Sequence, residues 1–396
     1  MTKQTVKDIE VKGKRVLVRV DFNVPLDGKG AILDDSRIRA VLPTIEYLIA
    51  GGAKVILCSH LGRPKGKIVE ELRLAPVGQR LSELLGRPVT CVGDCIGAEV
   101  EKEVERLKEG EVLLLENLRF HPEEESNDAE FAQALARLAD IFVNDAFGTA
   151  HRAHASTVGV AEYLPAVAGF LLEKELEALG QALNEAAHPF AVISGGAKVS
   201  DKIGLLQNIL DRVDFLFIGG GMCCTFLKAK GYEVGRSAVA EEGLALAQQV
   251  MEKAAAEGVS LLLPSDVVVA GEFAADALFK TVLITEIPSD CYIMDIGLES
   301  VEHFGAVLLS CETIIWNGPV GVFEFPAFQM GTKALAKLLA SLDATTVIGG
   351  GSTAEAVTAL GLAEKMTHVS TGGGAALRFL EGRTLPGVAA LRDKES

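Results

Sequence analysis

The chain has 396 residues, of which 49 % are hydrophobic and 23 % charged, a globular composition that excludes a disordered protein. Acidic residues outnumber basic ones by 54 to 38, and the net charge of −16 argues against binding to nucleic acid or an anionic membrane. No apolar run reaches the ~18–20 residues of a membrane span, and no secretory signal is visible. We expect a cytoplasmic protein with reduced thiols and about two domains.

Apolar runs with the composition of strands alternate with stretches of helical period along the chain. The predicted strands lie in the runs 15–25, 54–60, 111–120, 140–148, 190–198, 214–221, 260–270, 313–321 and 345–356. Between the predicted strands of the first part of the chain, amphipathic stretches at 40–50, 75–85 and 128–139 predict helices. Continuous runs of Val, Ile and Leu that alternate with helices predict parallel sheets covered on both faces, an α/β fold.

A charged stretch of helical period at 169–187 divides the chain, and His188–Pro189 ends it. The stretch could be one more surface helix of a single large sheet. That sheet would need nine or more strands, and a single core stops growing at about 250–300 residues. We therefore expect two α/β lobes joined by this helix.

Arginines follow the predicted strands of the first part. Arg63, Arg119 and Arg152 each come just after a strand, and we place Arg37 in the loop after the first strand. Because the carboxyl ends of parallel strands share one edge, the four guanidinium groups are expected to converge and bind a small polyanion. The alternative is four surface arginines, each paired with a nearby acid.

Other polar residues accompany these arginines. A period of two would place Arg19, Asp21 and Asn23 on one face of the first strand. Three histidines lie beside the arginines in the sequence and are expected to shape the anion site rather than act as general bases: His60, His151 and His154. The glutamates at 123–125 are expected on a solvated face.

Glycine-rich turns end several strands of the second part, at 195–198, 219–221, 317–321, 349–353 and 371–374. Backbone N–H groups in such turns approach a ligand closely, so the phosphate chain of a nucleotide is the expected guest. Lys198 and Lys202 would share a helix face and reach a phosphate together, and Glu324 could accept from a ribose hydroxyl.

Two cysteine pairs are expected to be buried or half-buried thiols. Cys91 and Cys95 lack the second pair of ligands that a zinc motif would provide, and so do Cys223 and Cys224. Trp316 lies in an apolar run and is expected to pack in the core.

Seven motifs follow one another along the chain: VRVDFNVP (18–25), SHLGRP (59–64), ENLRF (116–120), NDAFGTAHRAHAS (144–156), GGAKVSDKI (195–203), WNGPVGVFE (316–324) and STGGGAALRFLEG (370–382). In this set and order, the sequence resembles the phosphoglycerate kinase family from about residue 5 to 390. The resemblance implies two Rossmann-like lobes with a hinge. It also implies reversible, Mg²⁺-dependent phosphoryl transfer between 1,3-bisphosphoglycerate and ADP, giving 3-phosphoglycerate and ATP in glycolysis.

The resemblance also implies a division of labour. Residues 1–168 would form the phosphoglycerate-binding lobe, with 380–396 returning to it; 169–188 would form the interlobe helix and hinge, and 189–379 the nucleotide-binding lobe. The residues that would bind phosphoglycerate are Asp21, Phe22, Asn23, Arg37, His60, Leu61, Gly62, Arg63, Arg119 and Arg152. Those that would bind the nucleotide are Lys202, Gly219, Gly220, Asn317, Pro319, Glu324, Gly350, Gly351, Ser352 and Thr353.

The expected chemistry is in-line transfer after lobe closure, with no covalent enzyme intermediate. The groups expected around the migrating phosphoryl group are Arg37, Lys198, Gly373 and Gly374. Ser352 stands where the family usually has an aspartate that contacts the metal shell, and a hydroxyl is a weaker partner for Mg²⁺. We expect a monomer.

Two other functions remain open from the residues alone. The Gly-x-Gly-x-x-Ala pattern at 349–354 would suit a nicotinamide-dependent dehydrogenase, but the strand end from His368 onward carries no acidic residue. A non-catalytic, two-lobed anion-binding protein would leave Lys198 and Lys202 without a role.

Overall fold

The computed structural model describes residues 3–28, 30–239 and 241–394. The chain divides into two compact units. The first unit runs to Glu177 and resumes at Thr384, and the second comprises Ala178–Arg383. The change of unit falls inside one helix, Phe170–Asn184. The hinge and the roles assigned above to each lobe stay predictions.

One parallel sheet forms the centre of the first unit. Its strands are β1 (Arg15–Arg19), β2 (Lys54–Cys58), β3 (Val89–Cys91), β4 (Val112–Leu114), β5 (Ile141–Asn144) and β6 (Ala166–Ala168). Over the described residues the sheet has six strands in the order β3-β4-β2-β1-β5-β6, and all neighbours are parallel. Side chains of β1, β2, β4 and β5 are buried on both faces, as a helix-covered parallel sheet requires.

Helices cover this sheet. They are α1 (Ser36–Ala50), α2 (Ala75–Leu85), α3 (Ala98–Arg106), α4 (Pro122–Glu125), α5 (Ala129–Ala136) and the first part of α6 (Phe170–Asn184). Helix α1 illustrates the pattern, because Ile38, Val41, Ile45 and Leu48 recur every three or four positions and are all buried in the core of this unit.

A second parallel sheet forms the centre of the second unit. Its strands are β7 (Phe190–Ser194), β8 (Phe215–Ile218), β9 (Ser260–Leu262), β13 (Thr313–Asn317), β14 (Thr345–Gly349) and β15 (His368–Val369). In the described part of the chain it has six strands in the order β15-β14-β13-β7-β8-β9. The helices of this unit are α7 (Ile203–Ile209), α8 (Gly220–Ala229), α9 (Glu241–Glu257), α10 (Leu298–Leu308), α11 (Met330–Leu339), α12 (Gly351–Ala359) and α13 (Gly374–Leu380).

The second unit also contains a small antiparallel sheet. It consists of β10 (Asp266–Ala270), β11 (Phe279–Leu283) and β12 (Tyr292–Ile296), in the order β11-β10-β12. The prediction of one strand over 260–270 is therefore wrong, because this run supplies β9 to the parallel sheet and β10 to the antiparallel one. Pro264 and Ser265 separate the two strands.

The C-terminal part of the described chain belongs to the first unit and includes α14 (Pro386–Ala389). The Gly387 N–H donates to the Ala150 carbonyl at 2.9 Å, and the Gly387 carbonyl accepts from Asn144 Nδ2 at 3.0 Å. The Lys3 ammonium donates to the Leu391 carbonyl at 2.8 Å. These contacts join the end of the chain to both the N-terminal segment and the loops after β5.

The α/β prediction is confirmed, and in both parallel sheets a switch point lies beside the first strand. In the first sheet, β2 lies on one side of β1 and β5, which comes later in the chain, lies on the other side. In the second sheet, β8 lies on one side of β7 and the later strand β13 lies on the other side. At such a switch point neighbouring loops diverge and leave a crevice at the carboxyl ends of the strands. Each unit therefore has a crevice where ligands bind in folds of this kind.

Candidate active site

Arg19 lies at the crevice of the first unit, but its side chain is buried and does not face a ligand. Strand β1 ends at this residue, and its side chain is fully buried. Its Nε donates to Ser156 Oγ at 2.9 Å, and its Nη2 lies 3.1 Å from His60 Nδ1. The prediction that Arg19 shares a strand face with Asp21 and Asn23 is wrong, because the chain leaves the sheet before both.

Four arginines surround His60. Burial and the positive charges of Arg19, Arg119, Arg37 and Arg152 hold the pKa of this imidazole well below its ordinary value. The ring is therefore neutral at physiological pH. A neutral imidazole among cations suits hydrogen bonding to an anion better than proton abstraction.

The expected arginines reach this region from different elements. Arg37 lies in the first turn of α1, not in a loop, and its Nη1 contacts Asp21 Oδ2. Arg119 lies in a 3₁₀ turn, Leu118–Phe120, where its Nη1 donates to the Gly62 carbonyl at 2.9 Å. The Arg152 Nε lies 3.2 Å from His151 Nε2.

Acidic residues partly neutralise this cluster, so the pairing alternative is partly true. Asp21 pairs with Arg37, while Glu125 Oε1 lies 3.3 Å from Arg119 Nε and 4.0 Å from Arg152 Nη1. Arg63 differs from the others, since its side chain is exposed and no hydrogen bond or ion pair joins it to another described residue. Its guanidinium is therefore available to a ligand.

The remaining predicted residues of this unit form the scaffold of the crevice. Asn23 Oδ1 accepts from the Gly62 N–H at 2.8 Å, and the Phe22 N–H donates to Ser59 Oγ at 2.9 Å. The side chains of Phe22 and Leu61 are buried in the core. Gly62 has φ +63°, and a Cβ there would lie 2.8 Å from Leu72 Cδ2, so any other residue would strain the backbone and displace the Leu72 side chain.

A buried carboxylate that the sequence did not predict lies beneath the arginines. Glu124 is fully buried, and its oxygens accept from the Ser156 N–H at 2.9 Å and from Ser156 Oγ at 2.5 Å. Burial raises the pKa of Glu124, whereas the charge of Arg19 lowers it. The solvated-face prediction for 123–125 is wrong at this position.

Ser156 thus joins two buried charges, since its hydroxyl accepts from Arg19 and donates to Glu124. His154 lies beside this group, with Nδ1 3.7 Å from Glu124 Oε1. Burial, together with the charges of Arg119 and Arg19, lowers the pKa of His154 from 6.5 to about 4. No local pattern in a run of three glutamates marks the one that is buried.

In the second unit, glycines allow the turns at the switch point to touch. The Gly195 N–H donates to the Asn317 carbonyl and the Gly196 N–H to the Pro319 carbonyl, both at 3.0 Å. A Cβ on Gly195 would lie 2.2 Å from the Pro319 oxygen, and one on Gly318 would lie 2.3 Å from the Gly195 oxygen. Glycine is required here because backbone meets backbone.

This contact corrects the expectation that every glycine turn offers its N–H groups to phosphate. The Gly219 N–H donates to the Ser194 carbonyl at 2.9 Å, and the Gly220 N–H donates to the Val320 carbonyl at 2.8 Å. Together with Gly195 and Gly196, these donors are already occupied. Turns of this type therefore fix the backbone more than they bind a ligand.

The start of α12 is different. Gly350, with φ +83°, precedes the helix, and no side chain caps the first N–H groups. Gly351 and Ser352 are exposed, whereas Thr353 is buried and its Oγ1 accepts from the Gly318 N–H at 2.7 Å. An uncapped helix start with exposed glycine attracts an anion.

Two further donors lie beside this helix start. Asn317 Nδ2 is buried without a hydrogen-bond partner among the described residues, and it would lie 3.0 Å from a Cβ on Gly349. Lys202 Nζ contacts Asn317 Oδ1, and burial lowers the pKa of this lysine from 10.5 to about 8. A buried unpaired donor and a partly desolvated ammonium both favour an anionic ligand.

Lys198 does not share a helix face with Lys202, so that prediction is wrong. A 3₁₀ turn, Val199–Asp201, separates them, and α7 begins only at Ile203. Lys198 is exposed before this turn. The last glycine turn precedes α13, where Gly373 has φ +47° and no side chain caps the helix.

A cavity of about 600 Å³ opens beside these turns. Three of the predicted nucleotide residues line it: Gly220, Pro319 and Glu324. Its aromatic wall consists of Phe273, Tyr292 and Phe325, with ring centroids 6.1 Å apart for Phe273 and Tyr292 and 5.4 Å for Phe273 and Phe325. Its size lies in the range of small-molecule sites.

The sequence missed the aromatic wall, since only the folding of the antiparallel sheet places Phe273 and Tyr292 there. Asp295 also lines the cavity, although it is nearly fully buried. Its oxygens accept from the N–H groups of Gly331 at 2.8 Å and Ile296 at 2.9 Å. Burial raises the pKa of Asp295 from 3.8 to about 7.

These two sites are typical of a phosphotransferase, because one crevice concentrates guanidinium groups and the other combines an uncapped helix start with a cavity of nucleotide size. The family model for phosphoglycerate kinase matches residues 6–383. The chain belongs to the phosphoglycerate kinase family. It is a phosphotransferase with a carboxyl group as acceptor, and the family's reaction is the reversible glycolytic phosphoryl transfer between 1,3-bisphosphoglycerate and ADP.

Relatives match over the whole chain. A phosphoglycerate kinase of Moorella thermoacetica is 58 % identical over 394 residues, with 100 % of both chains covered. One from Synechococcus elongatus is 60 % identical over 400 residues and covers 99 % of this chain and 100 % of its own. The dehydrogenase and the non-catalytic binding protein are therefore set aside.

Solved structures agree. The phosphoglycerate kinase of Coxiella burnetii has a TM-score of 0.87 at 44 % identity and covers 98 % of each chain. That of Pyrococcus horikoshii has a TM-score of 0.86 at 35 % identity, covering 99 % of this chain and 98 % of its own. Across the described part of the chain, no helix has the length and apolar character needed to span a membrane.

Proposed function

We propose that the first unit binds the phosphoglycerate and that the second binds the nucleotide. The concentration of Arg37, Arg119 and Arg152 around the neutral His60 carries this proposal. Guanidinium groups bind phosphate and carboxylate through paired hydrogen bonds, and the exposed Arg63 has all its donors available. Asp21 and Asn23 would orient the glycerate hydroxyl, while Phe22, Leu61 and Gly62 shape the loops that hold it.

In the second unit, the phosphates would bind the uncapped start of α12, at Gly350–Thr353, together with Lys202 and Asn317. The orphaned Asn317 Nδ2 supports this role, because a bound phosphate oxygen would supply its missing acceptor. The nucleoside would occupy the 600 Å³ cavity beside Gly219, Gly220 and Pro319, with Glu324 at a ribose hydroxyl.

We propose that Mg²⁺ enters with the nucleotide and neutralises charge on its phosphates. The protein would contribute little to the coordination of Mg²⁺, since Ser352 offers only a neutral, exposed hydroxyl. Phosphate oxygens and water would therefore supply most of the coordination. Ser352→Asp should lower the Mg²⁺ concentration required for half-maximal turnover of 3-phosphoglycerate and ATP in a coupled assay. An unchanged titration would exclude Ser352 from the metal's surroundings.

For the transfer itself, Arg37, Lys198 and the backbone at Gly373 and Gly374 would surround the migrating group. Phosphoryl transfer needs in-line positioning and charge neutralisation more than covalent chemistry from the protein. Arg37→Lys should lower the turnover rate more than the nucleotide affinity, because a point charge replaces a planar fork. Equal losses in both would contradict a role in the transition state. Closure of the two lobes stays a prediction.

The assignment of substrates to units is tested by separate binding titrations of 3-phosphoglycerate and MgADP. Arg63→Met should weaken 3-phosphoglycerate about 10- to 100-fold, the worth of a charge-assisted hydrogen bond, and leave MgADP unchanged. Lys202→Met should weaken the binding of MgADP and leave that of 3-phosphoglycerate unchanged. Arg87→Met removes another exposed arginine of the first unit and serves as the matched control. Loss of MgADP binding in Arg63→Met would overturn the assignment.

We propose a monomer in the cytoplasm. The support is the net charge of −16, which favours a dispersed chain through self-repulsion. Sedimentation equilibrium of the chain should give a mass near 41.9 kDa at all concentrations, and a mass that rises with concentration would contradict it.

A further inference from the structure

Three side chains with different ligand atoms come together beside the loops that follow β3 and β4. Asp94 and Cys95 lie in the loop after β3, and His121 follows the 3₁₀ turn Leu118–Phe120. One potential ligand atom from each lies within 4.8 Å of the other two. It is the one such group of three histidine, cysteine or acidic ligands found over the residues that the structure describes.

The hydrogen bonds of this group hold it in place. Asp94 Oδ1 accepts from the Cys95 N–H at 2.7 Å and lies 2.7 Å from His121 Nε2. The Asp94 carbonyl accepts from the Glu116 N–H at 3.2 Å, which ties the loop to the end of β4. The His121 ring packs on Phe131, with ring centroids 5.3 Å apart. Both segments are thus positioned by backbone or ring contacts.

We propose that Asp94, Cys95 and His121 form a zinc site. A thiolate, an imidazole and a carboxylate are the donors that Zn²⁺ takes in proteins, and three protein ligands leave a fourth position for water. Mg²⁺ prefers oxygen ligands only, so the same three residues disfavour the metal that accompanies the nucleotide. No zinc motif is recognisable in the sequence because the third ligand, His121, lies 26 residues beyond Cys95.

Burial divides the three ligands into a fixed one and two adjustable ones. The Cys95 side chain is fully buried, whereas those of His121 and Asp94 are 27 % and 54 % exposed. The two outer side chains can therefore separate slightly to admit the ion above the thiol. Binding replaces the thiol proton, which leaves to solvent, by a Zn–S bond, while the neutral imidazole and the carboxylate contribute electron pairs.

The test uses Co²⁺, which reports sulfur ligands by a charge-transfer band in the near ultraviolet, in titrations of the reduced, full-length chain. One Co²⁺ per chain should produce this band, one equivalent of Zn²⁺ should remove it, and excess Mg²⁺ should not. Cys95→Ala should abolish the band. His121→Asn should weaken Zn²⁺ more than about 100-fold, because changes outside the ligand set alone cost 10- to 100-fold.

Controls separate this site from ordinary thiol or His–Asp binding. Cys91→Ser removes an exposed thiol four positions away and should leave the band unchanged. His188→Asn breaks a comparable pair, with His188 Nδ1 2.6 Å from Asp214 Oδ2, and should also have no effect. His121→Asn keeps the test valid if Cys95→Ala unfolds, since His121 lies at the surface. A missing band in the wild type, a band lost in Cys91→Ser, or one unchanged in His121→Asn would overturn the proposal.

Discussion

In the first unit, the loops after β1 and β5 enclose buried charges, whereas in the second unit the loops after β7 and β13 touch through glycine backbone. Arg19, Ser156 and Glu124 form a hydrogen-bonded group under the first crevice. Gly195 and Gly318 are in direct contact under the second. Loops at the same kind of switch point are thus held together in two different ways.

The proposed assignment of substrates to units would account for this difference. A small acid with several negative charges is bound by guanidinium groups, which need buried acids and a neutral imidazole to hold them in place. A nucleotide offers a large apolar base, so its crevice needs a cavity with aromatic walls and only a few donors for the phosphates. Substitutions that remove the buried charges of the first unit or the close backbone contact of the second therefore test this comparison.

The largest effect is expected from Gly318→Ala. The residue has φ +102°, and the added Cβ would lie 2.3 Å from the Gly195 oxygen, so we expect a loss of about 3 kcal/mol or more in the free energy of unfolding of the second unit. Trp316, the one tryptophan of the chain, is buried two positions away and reports the transition by fluorescence.

Gly180→Ala is the matched control, because Gly180 lies inside α6 with nothing near its Cβ position. There we expect a gain of about 0.5–1 kcal/mol from the better helix propensity. A Gly318→Ala variant as stable as the wild type would show that the turns at the switch point can separate.

Ser156→Ala should have the next largest effect, in the first unit. The change leaves Arg19 Nε and a Glu124 oxygen without a partner in a buried place, which costs about 2–3 kcal/mol. Hydrogen exchange of the amides in β1 and β5 should accelerate, and the KM for 3-phosphoglycerate should rise while that for the nucleotide stays constant.

Ser126→Ala removes a hydroxyl that donates to the Glu123 carbonyl at the surface, and should change stability by less than about 0.5 kcal/mol. Rescue by Ser156→Thr would support the hydroxyl's role in positioning, since threonine keeps both hydrogen bonds. If both KM values rise together in Ser156→Ala, the buried charges do not act on one substrate site alone.

A third test concerns a feature that both units share. Asp145 accepts from the N–H groups of Leu171 at 2.9 Å and Leu172 at 3.1 Å, much as Asp295 accepts from the start of α11. Burial raises the pKa of each carboxyl from 3.8 to about 7. The folded state then holds a proton that the unfolded chain releases, so stability falls as the pH rises from about 4 to about 7.

Asp145→Asn and Asp295→Asn should each reduce the loss of stability with rising pH. Between pH 5 and pH 8, the free energy of unfolding of each variant should fall by about 1–3 kcal/mol less than that of the wild type. Urea unfolding at the two pH values measures it. An effect in one unit only would mean that the shared carboxyl position has different roles in the two units.

The smallest effect is proton uptake by Lys202. Since burial lowers its pKa to about 8, the free protein at pH 8 has this lysine about half protonated, and a bound phosphate should complete the protonation. Calorimetric titration of MgADP in buffers of different ionisation enthalpy should show an uptake of up to about half a proton. Lys202→Met should abolish it, and Lys230→Met, at an exposed lysine, should not. Equal uptake in both variants would assign the proton elsewhere.

Local patterns allowed a large part of the molecule to be predicted. Strands such as β1, β2 and β7 each contain a continuous apolar run of three or four residues, and helix α2 matches its predicted stretch at 75–85. The convergence of Arg119 and Arg152 follows from the parallel arrangement, because carboxyl ends of parallel strands meet at one edge, whereas Arg37 reaches the same region from the first turn of α1. These features depend on neighbours in the sequence or on one topological rule.

Features that depend on distant residues were not predictable. Glu124 is buried because Ser156, 32 residues away, satisfies its oxygens, and Ser156 in turn binds Arg19, 137 residues away. The cavity wall needs Phe273 and Tyr292 to meet across the antiparallel sheet. The donors of the glycine turns are occupied by partners that only the folded chain brings near.

The residues alone were therefore enough to specify an α/β chain with cationic strand ends and glycine turns, since periodicity and turn chemistry are local properties. The folded structure was required to show which charges are buried, which N–H groups are occupied and where a zinc ion would find three ligands. Burial and hydrogen bonding are set by segments far apart in the chain, and their cost or gain exists only once those segments meet.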